Sequence, residues 1–455
     1  MLSVGLLTVW LYLPAAAQWS EPVRVSRNWL WAYSLAMDSA EGLHAVWSRY
    51  PPDDWLEYAS KKPTADTWMT PEHITPTAIP GAQGVVVIGP NGTPHVIWIS
   101  YLAAGIFLTR REGGTWTTPE QFPGWNRAGS GLRGVCDRWG RIHIVWQGLN
   151  TFDTIWYARY EAGNWVGPET VAAATSRRVY APDVMTDHEG NAIVAYVRTR
   201  DSLGPALVRQ TGDSWTAPTF PRGTERDEWT TRVALDSNDN AIMAWHGNGC
   251  SFFSEQLPDS WSLTERLDSG GAGASAGPVP CVDRWNRLHV LYTDRPPGAE
   301  FSLHERTRID GQWREHLIVD SFPGWAEVAV SSGRLHVLLS RDAGSPYEAE
   351  AMYTWRPLSP PGVEEESEGA LVESPEYISP VTPSSTVFFA LAKPERVHVD
   401  IIDSAGRCID RVSLGLLRAG RHDFRPFGHV PARGVAFLRI VTAGTSTIVK
   451  VVRIN

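Results

Sequence analysis

The sequence predicts an all-β chain: a seven-bladed β-propeller closed by its own N-terminal strand, followed by a small β-sandwich. Three observations predict this. A turn-and-strand stretch recurs along most of the chain. A second, tryptophan-led landmark recurs with it but is displaced by one unit. No helical period of useful length interrupts either pattern.

The clearest copy of the first landmark is Asp137-Arg-Trp-Gly-Arg-Ile-His-Ile-Val-Trp146, a tight turn from Asp137 to Gly140 and then a strand rich in β-branched and aromatic residues. Aligned on its histidine, the copies fall at His44, His95, His143, Ile193, Ile242, His289 and His336, spanning 292 residues in six intervals. That is about 49 residues per repeat, a period typical of stacked units or propeller blades. Six residues before the anchor lies Asp38, Asp137, Asp187, Asp236 or Asp283, with Gly89 and Val330 in the second and seventh copies. Three residues after it lies Trp47, Trp98, Trp146, Tyr196, Trp245, Tyr292 or Leu339.

The second landmark follows about 20 residues later. Trp68, Trp116, Trp165, Trp215, Trp261 and Trp313 open runs such as Trp116-Thr-Thr-Pro-Glu120. The seventh tryptophan is missing after the last anchor and stands instead at Trp19, ahead of the first. A closed ring explains the displacement: the N-terminal strand becomes the outer strand of the last blade, and closure removes exposed sheet edges. Each repeat then reads as four strands: an inner strand ending at the Asp turn, the anchor strand, a third such as Ile155–Arg159, and the tryptophan run.

Along the chain, residues 1–17 read as a secretory signal peptide, with an apolar run from Leu2 to Leu13 and small residues at Ala15, Ala16 and Ala17. The run is short for a bilayer span, and no other stretch reads as transmembrane. Residues 18–357 carry the repeats. Residues 358–383 hold six acidic residues and no basic ones, and read as a solvated, Pro-rich linker. Residues 384–455 form a second β unit, with eleven basic and five acidic residues. A length of about 70 residues suits a small sandwich.

The formal charge of −9 excludes the basic footprint of a nucleic-acid partner. The four cysteines (Cys136, Cys250, Cys281 and Cys408) form no CxxC pair and read as free thiols, with a Cys250–Cys281 bridge as the alternative. The repeated histidines sit on the second strand, about 4.8 Å out from the channel wall. They therefore cannot converge on an ion, so no metal and no cofactor is expected; the repeated Asp reads as a turn brace.

Function in such a ring resides in what breaks the repeat. The loops from each outer strand to the next inner strand open at one mouth of the channel, and they differ. They include Asn28-Trp-Leu-Trp-Ala-Tyr33, Phe122-Pro-Gly-Trp-Asn-Arg127, Ser176-Arg-Arg-Val-Tyr180, Thr224-Glu-Arg-Asp-Glu-Trp229 and Phe322-Pro-Gly-Trp325. Trp31, Trp125, Trp229 and Trp325 are expected to rim this funnel with Arg127, Arg178, Tyr180 and Arg232. Aromatic faces with Arg forks suit sugars or anionic groups; the alternative is that these aromatics only cap inner-strand ends. Glu225, Asp227 and Glu228 are the densest carboxylate group. Glu228 with Asp183 from the neighbouring blade, beside Tyr180, are the candidates if the chain performs glycoside cleavage; the alternative is a solvated loop.

Two resemblances follow from these residues. Val397-His-Val-Asp-Ile-Ile-Asp-Ser-Ala-Gly-Arg407, Leu416-Leu-Arg-Ala-Gly-Arg-His422, Gly434-Val-Ala-Phe-Leu438 and Lys450-Val-Val-Arg-Ile454, led in by Ile378–Phe388, resemble the C-terminal sorting domain of the type IX secretion system. That is an immunoglobulin-like module related to the flagellar hook cap. The resemblance implies export by that machinery through residues 384–455, and no catalysis there. The repeats in turn resemble sialidase-like (BNR-type) and lectin-like propellers. Their Asp-box, Ser-x-Asp-x-Gly-x-x-Trp, lies between third and fourth strands, whereas the Asp turn here precedes the second, so no catalytic residue is carried over. The reading is a secreted or cell-surface protein that binds glycan or another extracellular polymer and leans away from being an enzyme. The alternatives are a sialidase-like glycoside hydrolase or lyase, and a structural surface or adhesion protein.

Overall fold

The computed structural model describes residues 19–358 apart from 27–29, 50–54, 128, 149–152, 175–177, 200–203, 222–227, 248, 269–276, 296–299, 310, 321–323 and 346–347. Beyond them it describes 377–378, 387–391 and most of 395–453. The expected signal peptide (1–17) and most of the expected linker (358–383) lie outside the described residues. Backbone contacts divide the chain into a unit of Trp19–Arg356 and a second that holds Pro357–Asn455.

Among the described residues there is no helix, and hence none long and apolar enough to cross a membrane. Trp19–Arg356 contains seven antiparallel sheets of four or five strands, consistent with the blades of a β-propeller. The third is representative: Gly129–Cys136, Ile142–Gly148, Thr154–Glu161 and Asn164–Ala173, in that order across the sheet. The innermost strands of the seven are Leu30–Met37, Gln83–Ile88, Gly129–Cys136, Arg178–Thr186, Glu228–Leu235, Val279–Val282 and Ala326–Val330. Each packs on the next, and the seventh packs on the first. The seventh sheet takes its outer strand from the chain's start: Val23–Ser26 pairs antiparallel with Glu348–Pro357, Val23 opposite Tyr353.

The repeat is written by its turn. Asp137 Oδ1 accepts the backbone N–H groups of Trp139 and Arg141, both at 2.9 Å. Asp38, Asp187, Asp236 and Asp283 accept the equivalent pairs at 2.7–3.0 Å. The turn also requires positive φ three residues before the anchor, where Glu41, Gly92, Gly140, Gly190, Asp239 and Asn286 stand. Successive turns are tied together. Arg141 Nη2 donates to Gly190 O at 3.0 Å, His188 Nδ1 lies 2.7 Å from Asp239 Oδ1, and Ser237 N donates to Asn286 Oδ1 at 2.7 Å. Ser332 N of the seventh sheet donates to Glu41 Oε1 of the first at 2.8 Å.

Gly190 tests this arrangement. A Cβ there would collide with the Arg141 guanidinium and the Trp139 ring, at φ 73°. Gly190→Ala is expected to cost about 3 kcal/mol, whereas Gly92→Ala, at the same φ of 73° in the equivalent turn but with nothing within 4 Å of its Cβ, should lose only the backbone part, about 1 kcal/mol. Urea unfolding of the two variants measures the difference.

The core lies between neighbouring sheets. Trp47, Trp98, Trp146 and Trp245, three residues past the anchors, are all buried. The outer-strand tryptophans reach back to the preceding sheet edge-on: Trp116 to Tyr58 (5.0 Å), Trp215 to Tyr157 (5.2 Å), Trp313 to Phe253 (5.1 Å) and Trp68 of the first sheet to Tyr353 of the seventh (5.4 Å). The repeated histidines brace rather than converge. His143 places Nε2 3.2 Å from Asp137 Oδ2 and Nδ1 2.7 Å from the Tyr157 hydroxyl. All four cysteines are free, including Cys250 and Cys281.

In the second unit, Tyr377–Ile378, Ser446–Arg453, Gly434–Val441, Glu395–Asp403 and Cys408–Leu417 form one five-stranded sheet. Val387–Leu391 pairs with Gly420–Phe424 in a second sheet. Val397, Val399, Ile401, Phe424, Leu438 and Ile440 are the centre of its core, and buried Asp400 is held by Arg411 (2.5 Å) and Arg439 (2.7 Å).

Candidate functional site

Each innermost strand presents one residue directly opposite the position two past the anchor. These residues are Ser34, Val85, Arg133, Asp183, Arg232, Val279 and Glu327, paired with Val46, Ile97, Val145, Ala195, Ala244, Leu291 and Leu338. All seven line one cavity of about 430 Å³, to which residues of all seven innermost strands contribute. Just upstream, the register slips between Ser130 and Arg133 and between Tyr180 and Asp183. Such bulges re-aim side chains. Each is held by a glutamine of the preceding sheet: Gly131 N donates to Gln83 Oε1, and Ala181 N to Gln147 Oε1, both at 2.7 Å.

Four of the seven are charged, and they meet across the cavity. Arg133 Nη1 lies 3.3 Å from Glu327 Oε1, Arg232 Nη2 bonds the same oxygen, and Arg232 Nη1 lies 3.9 Å from Asp183 Oδ1. Asp183 Oδ2 also accepts the backbone N–H of Val233 at 2.9 Å. Burial raises the Asp183 carboxyl above its ordinary range, with Arg232, Arg133 and the Val233 N–H acting against the rise. Among the described residues no cluster of His, Cys, Asp and Glu has metal-binding geometry.

The expected site residues divide. Arg232 and Asp183 come together in the channel, joined by Arg133 and Glu327. Those two were not singled out in the sequence; all four share one position in the pairing register, although the shorter seventh turn brings Glu327 one residue nearer its anchor. Tyr180 is half-buried and Arg178 exposed on the same inner strand. Trp325 is 43% exposed, two residues before Glu327. Trp125 does not stand on a rim. It is 2% exposed and packs edge-on against Trp146 and Trp156, with ring centroids at 5.0 and 5.3 Å. Exposed Arg127 covers the Trp125 ring at 5.0 Å. The side chains of Trp31, Glu228 and Trp229 lie outside the described ones, as do residues 225 and 227 altogether.

The fold and this cavity define an all-β chain built on repeated four-stranded sheets around a charged centre. No family model matches the sequence, and no curated protein is similar to it. Solved structures are similar in fold. A polysaccharide lyase, the PL25 ulvan lyase bound to -[GlcA(1-4)Rha3S]-, is 10% identical with a TM-score of 0.53, covering 73% of this chain and 95% of that one. A fungal alcohol oxidase of the AA5 family, in complex with copper, is 10% identical with a TM-score of 0.50, covering 96% of this chain and all of the other (100%). PorZ, a bacterial surface component of the type-IX secretion system of Porphyromonas gingivalis, is 13% identical with a TM-score of 0.47, covering 92% of this chain and 59% of that one.

Proposed function

We propose that residues 18–357 form a seven-bladed β-propeller, closed by the N-terminal strand, that is secreted or surface-attached and binds glycan or another extracellular polymer at one mouth of its channel. The pairing of Val23–Ser26 with Glu348–Pro357 and the packing of the seventh innermost strand on the first support the ring. The observation that carries binding over catalysis is the engagement of both channel carboxylates. Asp183 faces Arg232, and Glu327 faces Arg133 and Arg232, whereas glycoside cleavage needs a carboxylate pair held open for substrate and water. Exposed Trp325 and Arg178 near the same mouth offer an aromatic face and an anion-pairing fork.

Glycan arrays probed with wild type, Trp325→Ala and Arg178→Ala measure this. Binding by wild type that drops at least tenfold in the variants is expected. Equal signals from all three, or none from any, count against it.

One feature favours the second reading, a sialidase-like hydrolase or lyase. A buried carboxyl that keeps its proton to higher pH than usual has the property of a general acid, and Asp183 is such a group. Turnover of chromogenic glycosides or anionic polysaccharides that Asp183→Asn abolishes would establish it; no turnover across a broad panel removes it. For residues 384–455 we propose export through the type IX machinery, on the strength of the sequence motifs quoted above. Retention of the chain inside the cell after their deletion is the expected result.

A further inference from the structure

Two of the five repeated histidines lack a turn carboxylate: His95 beside Gly89, with Nδ1 3.0 Å from Thr93 O, and His336, the copy with a buried, orphaned ring nitrogen. In three repeats the ring is used at both edges. His44, His143 and His289 place Nε2 3.1, 3.2 and 3.3 Å from the turn carboxylates of Asp38, Asp137 and Asp283. Their Nδ1 atoms face Tyr58 OH, Tyr157 OH and Glu305 Oε1 at 2.6, 2.7 and 2.8 Å. His336 keeps the Nδ1 half, 2.8 Å from the Tyr353 hydroxyl. Its turn is one residue shorter, however, with Val330 opposite Leu335; Ser331 stands in the aspartate's place, its Oγ accepting Arg334 N at 3.0 Å, and the His336 Nε2 is buried with no hydrogen-bond partner. Such an orphaned buried group ordinarily costs about 1–3 kcal/mol, so it calls for an explanation.

A cavity of about 270 Å³ adjoins this ring, between the first and seventh sheets. In the sister repeats the Nε2 edge faces the turn, and here the turn residues Ser331–Arg334 line the cavity together with His336 itself. Lys61 and Lys62, two of the four lysines in the chain, complete it with Arg334, against the single carboxylate of Glu41. Glu41 is already engaged by Ser332 N at 2.8 Å. Burial, then the charges of Arg334 and Lys61, lower the His336 pKa to about 4, so the ring is neutral at pH 7. In His44 and His143 the Nε2 edge faces a carboxylate and must donate, so Nδ1 accepts the tyrosine hydroxyl; the same tautomer in His336 puts the single ring proton on Nε2. Burial and then Arg334 also lower the Lys61 pKa, and Lys61 Nζ donates to Ala65 O at the edge of the cavity.

We propose that this cavity is an anion site that takes a small carboxylate-bearing molecule, whose carboxylate occupies the place that the turn aspartate fills in the sister repeats. Nε2–H of His336 donates to the carboxylate, and Lys61, Lys62 and Arg334 supply the charge. The volume lies just under the roughly 300–1,000 Å³ of drug-sized sites, which limits the occupant to about the size of one sugar acid. The site is separate from the channel and does not depend on the function proposed for it.

The intact protein is titrated calorimetrically with sodium D-glucuronate, with D-glucose as the neutral control and sodium sulfate as the non-carboxylate anion. Binding of glucuronate, none of glucose, and at least fivefold weaker binding of sulfate are expected. Ser331→Asp supplies the missing carboxylate from the protein itself. It should weaken glucuronate binding at least tenfold while leaving the thermal midpoint equal to or above that of wild type. Lys62→Ala should weaken binding about fivefold, and Trp325→Ala should leave it unchanged. No glucuronate binding, equal binding of glucose or sulfate, or undiminished binding by folded Ser331→Asp would each overturn the assignment.

Discussion

Replacing Arg356 by methionine is expected to destabilise the Trp19–Arg356 unit by about 3–5 kcal/mol, the usual cost of leaving one member of a buried ion pair behind. Arg356 is fully buried and closes on Glu305 of the sixth sheet, Nε to Oε2 at 2.6 Å and Nη2 to Oε1 at 2.5 Å. Glu305 in turn meets His289, which meets Asp283. Burial alone would raise the Glu305 carboxyl, but the Arg356 charge and the His289 and Arg356 hydrogen bonds hold it well below the ordinary range. Burial would likewise raise Asp283, and hydrogen bonds from His289 and Arg287 bring it instead to about 2. Adding Glu305→Gln to Arg356→Met should recover most of the loss, because the stranded charge is then gone. Urea unfolding at pH 7 of the single and double variants measures both effects.

The same network sets a pH window. A carboxylate whose pKa is depressed by folding stabilises above its unfolded value, near 4.5 for Glu, and loses that contribution as pH falls toward its folded value. His289 acts oppositely. Burial would lower it, but Asp283 and Glu305 raise it above 6.5, so its contribution is complete below 6.5 and fades as pH climbs through the folded value. The network is therefore at full strength between about pH 4.5 and 6.5. The gap between wild type and Arg356→Met should narrow as pH falls, because the stranded Glu305 of the variant, no longer held down by Arg356, takes a proton at a higher pH than in wild type.

Removing residues 19–26 is expected to cost about 4–6 kcal/mol and to make the protein self-associate. Ser20 N donates to Trp355 O at 2.8 Å, Trp355 N to Ser20 Oγ at 3.1 Å, and Thr354 Oγ1 to Ser20 O at 2.6 Å. Each such bond contributes about 1 kcal/mol, and buried Val25 about 1.5 kcal/mol or more. Trp19, 6.0 Å from the Arg356 guanidinium, is lost with them. The strand Glu348–Pro357 is left with an open edge, which recruits other chains. Thermal unfolding with light scattering measures both effects, and a synthetic peptide of residues 19–27 should restore the midpoint. A truncated chain that stays monomeric with an unchanged midpoint would show that this strand is dispensable.

The turns were legible in the sequence because everything they need is local. An Asp accepts N–H groups two and four residues on, with a residue fit for positive φ between them, as at Asp137, Gly140 and Arg141. Strand count and order follow from such turns and from the spacing of the tryptophans. The displaced Trp19 likewise pointed to the pairing of the N-terminal strand with the last sheet. The missing Asp of the seventh repeat was also visible, but counting from the histidine pointed to Val330, whereas the turn is one residue shorter and Ser331 stands there, beside a cavity the sequence did not show.

What a side chain faces was another matter. Phe122-Pro-Gly-Trp125 and Phe322-Pro-Gly-Trp325 carry the same four residues, yet Trp125 is buried and Trp325 exposed. The third sheet offers Trp146 and Trp156 for Trp125 to pack on, whereas the position equivalent to Trp146 in the seventh is Leu339. Likewise Arg133, Asp183, Arg232 and Glu327 share one position in the strand pairing, but the chain separates them widely, and only the arrangement of the sheets brings opposite charges within bonding distance. The sequence by itself determined the repeating unit and its strands, because short-range hydrogen bonds and the two-residue alternation of a strand are encoded within each repeat. The tertiary structure decided which aromatics are core and which charges form the centre, because burial and ion pairing depend on atoms that neighbouring sheets supply.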